Sequence, residues 1–359
     1  MNAMTDRGWV GRLKRDPDLS AETYGDFCEG MHVFVFGKLG RAAKAAAEAE
    51  AAKAKEAGRA LDRVNDVRAL FDPLPIVGAR NRLLRSTQEM MWRRYRQWFN
   101  SDPTKWESEL ATYDAKGPGT VEYDASWDPP AYAKRAIHIQ PGGYGGDPIC
   151  GYWYHHASNA FFAGANTQDE YHISLAKTSR PPADGKVARV IDLGCSIGQL
   201  TVALKERFPK AEVTGLDVAA AQVRYAHKRA VDLNVDCRFV QRLAEDTKYP
   251  DGHFDMVVAF LLFHEVTLDA GRKIVAEAFR LLRPGGVFTV FDFPTGFKTY
   301  EPYFRYFMEV DHQDNGEPYE LDFIASDFDG LLTKTGFQVS RGEQDVMLAR
   351  TTYAVKPAG

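Results

Sequence analysis

The periodicity of apolar and polar positions changes character once along the chain. From residue 20 to about 110 the apolar positions recur every three or four residues, as on a helix with one buried face. In YGDFCEGMHVFVFGKL, Tyr24, Phe27, Met31 and Phe34 form such a stripe. Residues 41–69 are alanine-rich with interleaved Lys and Glu, which favours helix, and Leu61, Val64, Val67 and Leu70 extend one apolar face. Residues 79–100 are more sharply amphipathic. Leu84, Met91, Tyr95 and Trp98 share one side, and Arg82, Arg85, Arg93 and Arg96 occupy a stripe roughly 80° wide on the other. From residue 187 onward, short apolar runs alternate with helical stretches. They predict strands at 187–193, 211–217, 235–241, 253–261 and 286–293, with helices starting near 198, 218 and 268. A helix near 325–335 and strands near 337–342 and 346–355 complete the pattern. The expected class is α/β, a doubly wound parallel sheet in the C-terminal part behind a mainly helical N-terminal domain.

Between these regions, residues 117–185 are punctuated by Pro129, Pro130, Pro141, Pro181, Pro182 and PGGYGGDP, and they are rich in aromatic residues. A long irregular stretch of this kind reads as a lid, binding loop or linker. The expected division is therefore a helical domain at 1–116, a lid or linker at 117–185, and the α/β domain at 186–359. A length of 359 residues favours two domains over a single core.

Composition removes several function classes. The net charge of −4 gives no global attraction to nucleic acid or anionic membranes. The arginine stripe at 82–96 could contact RNA or a membrane surface, but a solvated or inter-subunit helix face is the favoured reading, since nothing else in the chain is basic. Cys28, Cys150, Cys195 and Cys237 lie far apart with no C-x-x-C pair, as in a reduced, cytoplasmic protein without a zinc site. The opening residues carry no signal-like apolar run. The longest apolar run, MVVAFLLF at 256–263, is too short to span a bilayer.

The chemistry concentrates at VIDLGCSIGQL, residues 190–200. Asp192, Gly194 and Gly198 sit where a strand ends and a helix begins, and nineteen residues past Gly198 the strand EVTGLD ends in Asp217. A carboxylate there can accept both ribose hydroxyls of an adenosine. NAD suits that acid, but its pyrophosphate needs G-x-G-x-x-G, and Ser196 would crowd it. A ligand with an amino-acid tail is less affected.

VIDLGCSIGQLTVAL resembles the first motif of class I S-adenosylmethionine-dependent methyltransferases. VTGLDVAAAQVRYAHKRA, AEDTKYPDGHFDMVVAF and EAFRLLRPGGVFTVFD resemble the later motifs in the same order, over residues 187 to about 295. The resemblance implies a Rossmann-like sheet with S-adenosylmethionine as cofactor and S-adenosylhomocysteine as product. Gly194 and Gly198 would lie against the methionine tail and adenosine, with Asp192 organising the turn. Asp217 would hold the ribose, and Ala244 and Glu245 would face the adenine. Cys195, Ser196, Val218 and Phe260 belong to the same implied site. Ser196 stands where the family has a central glycine, and Leu243 where many members carry an aspartate.

For the acceptor, His264 with Glu265 after the fourth strand of this domain resembles the catalytic region of small-molecule O-methyltransferases that have a helical dimerisation domain. There the histidine is a base; in carbon and nitrogen methyltransferases a histidine at this place only lines the pocket. Tyr144, Tyr154, His155, Tyr171, Tyr300 and Tyr303 are candidate walls for an apolar or aromatic acceptor. His155 and His156 are adjacent and, on a strand, would point to opposite faces, a poor metal clamp. The expectation is a homodimeric enzyme that O-methylates a small molecule, with no metal, nucleic-acid or membrane partner. C- or N-methylation, an RNA or protein acceptor, and a non-catalytic cofactor-binding module are the alternatives.

Overall fold

The computed structural model describes residues 8–296, 300–343 and 349–358. A hairpin of β1 (Trp9–Val10) and β2 (Leu13–Lys14) leads into α1 (Leu19–Phe34), α2 (Gly40–Glu56), α3 (Val64–Phe71), α4 (Pro75–Phe99) and α5 (Pro103–Tyr113). Next come β3 (Thr120–Glu122), α6 (Cys150–Phe161) and α7 (Glu170–Thr178). The α/β part runs β4 (Arg189–Leu193), α8 (Gln199–Arg207), β5 (Glu212–Asp217), α9 (Ala220–Asp232), β6 (Arg238–Gln241), β7 (Phe254–Phe260), α10 (Leu268–Leu281) and β8 (Leu282–Asp292). It ends with α11 (Pro302–Asp311), α12 (Glu320–Ala325), α13 (Phe328–Thr335), β9 (Gln338–Arg341) and β10 (Arg350–Val355). Residues 346–348 of the predicted last strand and 297–299 of the segment after β8 lie outside the described residues.

The eight-stranded sheet has the order β3-β6-β5-β4-β7-β8-β10-β9, parallel as far as β8, with β10 antiparallel to both its neighbours. Near-continuous burial along β4, β5, β7 and β8 follows from helices covering both faces. From β4 the chain first goes outward to β5 and β6, then crosses back to β7. The carboxyl ends of β4, β5 and β7 therefore flank the crevice in which such sheets bind ligands.

Two regions depart from their sequence pattern. Half of the stripe expected to bury α1 faces outward, with Phe27 54% and Phe34 40% exposed, while Tyr24 packs partly buried against the aromatic core and Met31 is half-buried. The buried face is Ala21, Gly25, Cys28 and His32. A Cβ at Gly25 would lie 1.8 Å from the hydroxyl oxygen of Tyr95 on α4, so small residues allow the two helices to approach. Second, residues 117–185 supply an edge strand and two helices. β3 pairs with β6, Thr120 opposite Arg238. α6 places Tyr152 and Trp153 in one aromatic core with Trp92 and Phe99 of α4, Trp106 of α5 and Tyr225 of α9, which joins the helical half to the sheet.

On α4, Leu84, Met91 and Tyr95 are buried and Trp98 partly so, as the amphipathic pattern predicts. Of the arginine stripe, Arg85 bonds Glu89 at 3.0 Å and Asp314 at 3.4 Å, and Arg96 lies 3.8 Å from Asp147. No described helix is long and apolar enough to cross a membrane.

Candidate functional site

The turn after β4 is held by backbone and one acid. Gly194 and Cys195 N–H groups both donate to the Leu216 carbonyl, at 2.8 and 2.9 Å. Ser196 takes a left-handed conformation, φ +46°, despite its side chain, and its N–H donates to Asp217 Oδ2 at 2.9 Å. Gly198 (φ +76°) cannot be replaced without strain, because a Cβ there would lie 2.8 Å from the Phe239 ring and 2.9 Å from Ala226. It packs α8 onto the sheet and does not line the cavity.

Behind the turn, Asp192 accepts from Thr201 Oγ1 at 2.7 Å, and burial pushes its carboxyl up to about 7. Asp217 Oδ1 accepts the Ala219 N–H at 2.9 Å, and burial raises this acid to about 6. Each Asp217 oxygen thus receives one backbone hydrogen bond and keeps acceptor capacity, which matches a ribose diol.

Asp192, Gly194, Cys195, Ser196, Asp217, Val218, Ala244, Glu245 and Phe260 all line one cavity. Leu243, Leu262, Val266 and Ile274 give it an apolar slot suited to a flat base. Tyr132, from the turn at 131–134, lies over that end and donates to Glu245 Oε1. His172 and Gln199 also enter the lining. His172 stacks edge-on against Phe260 at 5.6 Å, and burial holds it near pKa 4, hence neutral. The geometry fits an adenosine joined to an amino-acid tail.

The cavity is also walled by Tyr144, Tyr154, Phe162, His138 and Glu265. The Tyr144 and Tyr154 rings meet edge-to-face at 5.3 Å. Glu265 Oε1 accepts from Tyr144 Oη at 3.1 Å and faces His138 Nε2 at 3.0 Å. No hydrogen bond among the described residues reaches Glu265 Oε2. His264, by contrast, is 2% exposed and absent from the lining. Its Nδ1 lies 2.7 Å from Asp292 Oδ1, and its Nε2 is 3.9 Å from Glu265 Oε1. Burial opposes charge on this ring, but Asp292 outweighs it and raises the pKa to about 9.

Four candidate wall residues stand outside the cavity. His155 lies on α6, not on a strand, stacked on His156 at 5.1 Å, with Nδ1 2.6 Å from the Tyr225 hydroxyl; it lines a smaller neighbouring pocket under α1. Tyr171 sits behind Phe162, ring centroids 5.3 Å apart. Tyr300 donates to the Thr295 carbonyl at 3.0 Å. Tyr303 packs on Phe71 at 6.3 Å, where α11 meets α3. Lining residues absent from the sequence-based site include Tyr132, Arg135, His138, His172, Gln199 and Leu262. Gln199 falls inside the 190–200 motif without being singled out there, and His138 and His172 were legible only as part of an aromatic-rich stretch. Among the described residues, no group of three His, Cys, Asp or Glu side chains could hold a metal ion.

Residues 190–286 match the family model described as a methyltransferase domain. A demethylmenaquinone methyltransferase of Thermus thermophilus is 36% identical over 106 residues, 30% of this chain and 47% of the relative, so the chain spans about half of it. An uncharacterized methyltransferase of Synechocystis is 31% identical over 176 residues, 46% of this chain and 77% of the relative. Among solved structures, a Haemonchus contortus phosphoethanolamine N-methyltransferase in complex with phosphomonomethylethanolamine and S-adenosylhomocysteine superposes with a TM-score of 0.40 at 16% identity, over 53% of each chain.

Proposed function

Since the chain belongs to the class I S-adenosylmethionine-dependent methyltransferase family, we propose that it methylates an oxygen of a small, largely apolar or aromatic hydroxyl compound, with Glu265 as the proton acceptor. Bound in the cavity, S-adenosylmethionine supplies a methyl on a good leaving group. The protein must then align the acceptor, exclude water and take up a proton. Asp217 would hold the ribose, with the turn at 194–196 beneath the cofactor, Ala244 and Glu245 beside the base, and His172 and Gln199 at the tail.

The observation that carries this reading is Glu265: one oxygen is clamped, the other has no hydrogen bond among the described residues, and the side chain lines a cavity walled by Tyr144, Tyr154 and Phe162. A hydroxyl donating to Oε2 would sit between tyrosine rings. A carboxylate acceptor would meet Glu265 as a like charge, with Glu317 behind it. His264, placed behind Glu265 on Asp292, supports the local structure instead. An RNA or protein acceptor on α4 is less well supported, because Arg85 and Arg96 already face carboxylates.

The test begins with thermal melting in S-adenosylmethionine, S-adenosylhomocysteine and NAD, for the wild type and Asp217→Ala. A ligand at 100 times its Kd adds about 2.7 kcal/mol; the two sulfur ligands should stabilise the wild type, NAD should not, and the variant should lose the response. A panel of phenols and aliphatic alcohols then follows. Glu265→Gln should lower transfer about 100-fold or more, with the S-adenosylhomocysteine shift intact, while folded His264→Gln keeps most of its rate. The reverse ranking of the two variants would return the base role to His264.

A further inference from the structure

His138 occupies an unusual place. It and Ile139 are successive left-handed residues, φ +56° and +47°, a strained corner. Its carbonyl is held from α4 by Trp92 Nε1 and Gln88 Nε2, each at 2.8 Å. The ring lies between two acids. Nε2 is 3.0 Å from Glu265 Oε1, and Nδ1 is 2.5 Å from Glu317 Oε1. Asn315 Nδ2, 3.3 Å from Nδ1, donates to Glu317 Oε1 at 2.8 Å. A carboxylate oxygen at each ring nitrogen favours hydrogen on both, the imidazolium form.

We infer that His138 is a positioning residue of the transfer site: fixed between Glu265 and Glu317, it holds the Glu265 carboxylate in place, with Oε1 occupied and Oε2 turned to the acceptor. This rests on the reading of Glu265 as proton acceptor. Glu317 serves the ring and does not itself line the cavity. The surrounding charges agree with this arrangement. Burial disfavours charge on His138, but the two glutamates outweigh it and raise its pKa well above that of free imidazole. Burial likewise pushes Glu317 up, but His138 more than compensates and lowers it. Farther out stand the His264–Asp292 pair, Asp311, which burial raises to about 7, and Glu320, fully buried and driven strongly toward its neutral form. Proton release from His138 would leave two carboxylates facing a neutral ring, so Glu265 would lose its fixed partner as pH rises through the raised pKa.

The measurement is histidine-selective ¹⁵N NMR of the full chain with S-adenosylhomocysteine, from about pH 6 to about pH 9. Carbonyl labelling of isoleucine identifies His138 without a variant, because Ile137–His138 is the one Ile-His step in the sequence. The wild-type ring should stay doubly protonated at about pH 8, and Glu317→Gln and Glu265→Gln should each lower its midpoint by about one unit or more. A neutral His138 at about pH 7, or a midpoint unmoved in both variants, would overturn the inference. No acceptor enters this measurement, so failure of the proposed O-methylation would leave the titration in place. With an acceptor from the panel, His138→Gln should lower kcat about tenfold or more, with KM for S-adenosylmethionine within about twofold.

Discussion

Asp217 uses one carboxylate for two tasks. It closes the turn through the Ser196 N–H, and in the proposed role its remaining lone pairs take the ribose hydroxyls. Hydroxyl donors need the ionised acid, and burial has raised that acid to about 6. Affinity for S-adenosylhomocysteine should therefore be complete above about pH 7 and fall as pH drops through about 6. Calorimetry at about pH 5 and pH 7.5 should show a loss of about tenfold, whereas Asp217→Asn should bind weakly and almost equally at both. A wild-type affinity indifferent to pH would refute this role. Residues of this kind were legible in the sequence, because a strand-end acid and a glycine turn act at short, fixed spacing. His138 was not. Its meaning comes from Glu265 and Glu317, which the chain brings from far downstream, and no local pattern marks a histidine as lying between two acids.

Helix periodicity identifies stripes but does not say which stripe meets a neighbour. On α1 the larger side chains suggested the core face, yet close approach to α4 selected Ala21, Gly25, Cys28 and His32. Gly25→Val should lower stability by about 2 kcal/mol or more, because the added branch meets the Tyr95 hydroxyl. Urea unfolding checks this, and the surviving folded protein should bind S-adenosylhomocysteine as before. A neutral outcome would mean that Tyr95 can move aside. The same limit explains α6. Its run of aromatics and paired histidines has no polar face to set its period, so a helix inside a wall of rings read as irregular chain. Alternating strands and helices from 187 onward were readable because burial on both faces leaves long apolar runs with sharp ends.

Across the molecule, the two halves are tied by a buried charge as well as by aromatic rings. Asp169 on the segment before α7 pairs with Arg229 of α9 and, at 3.1 Å, with Arg12 beside the first hairpin, and it accepts from Gln199 Nε2 at 2.8 Å. Arg229 is 2% exposed, so removing its partner strands a buried cation. Asp169→Asn should cost about 3 kcal/mol or more, and it should also weaken S-adenosylhomocysteine binding because Gln199 lines the cavity. Denaturant melts and calorimetry on the same sample separate the two effects, and an unchanged midpoint would remove Asp169 from the account. The edge strand β3 carries a consequence of another kind. It leaves the ribosome well before β6, the strand it lies against, and Trp92 and Trp106 likewise emerge before Tyr225, which completes their core. The first third of the chain therefore waits, incompletely folded, until the centre of the sheet has been synthesised. A truncated product ending before residue 238 would display a bare strand edge and open aromatic surface, marking it for chaperones and proteases.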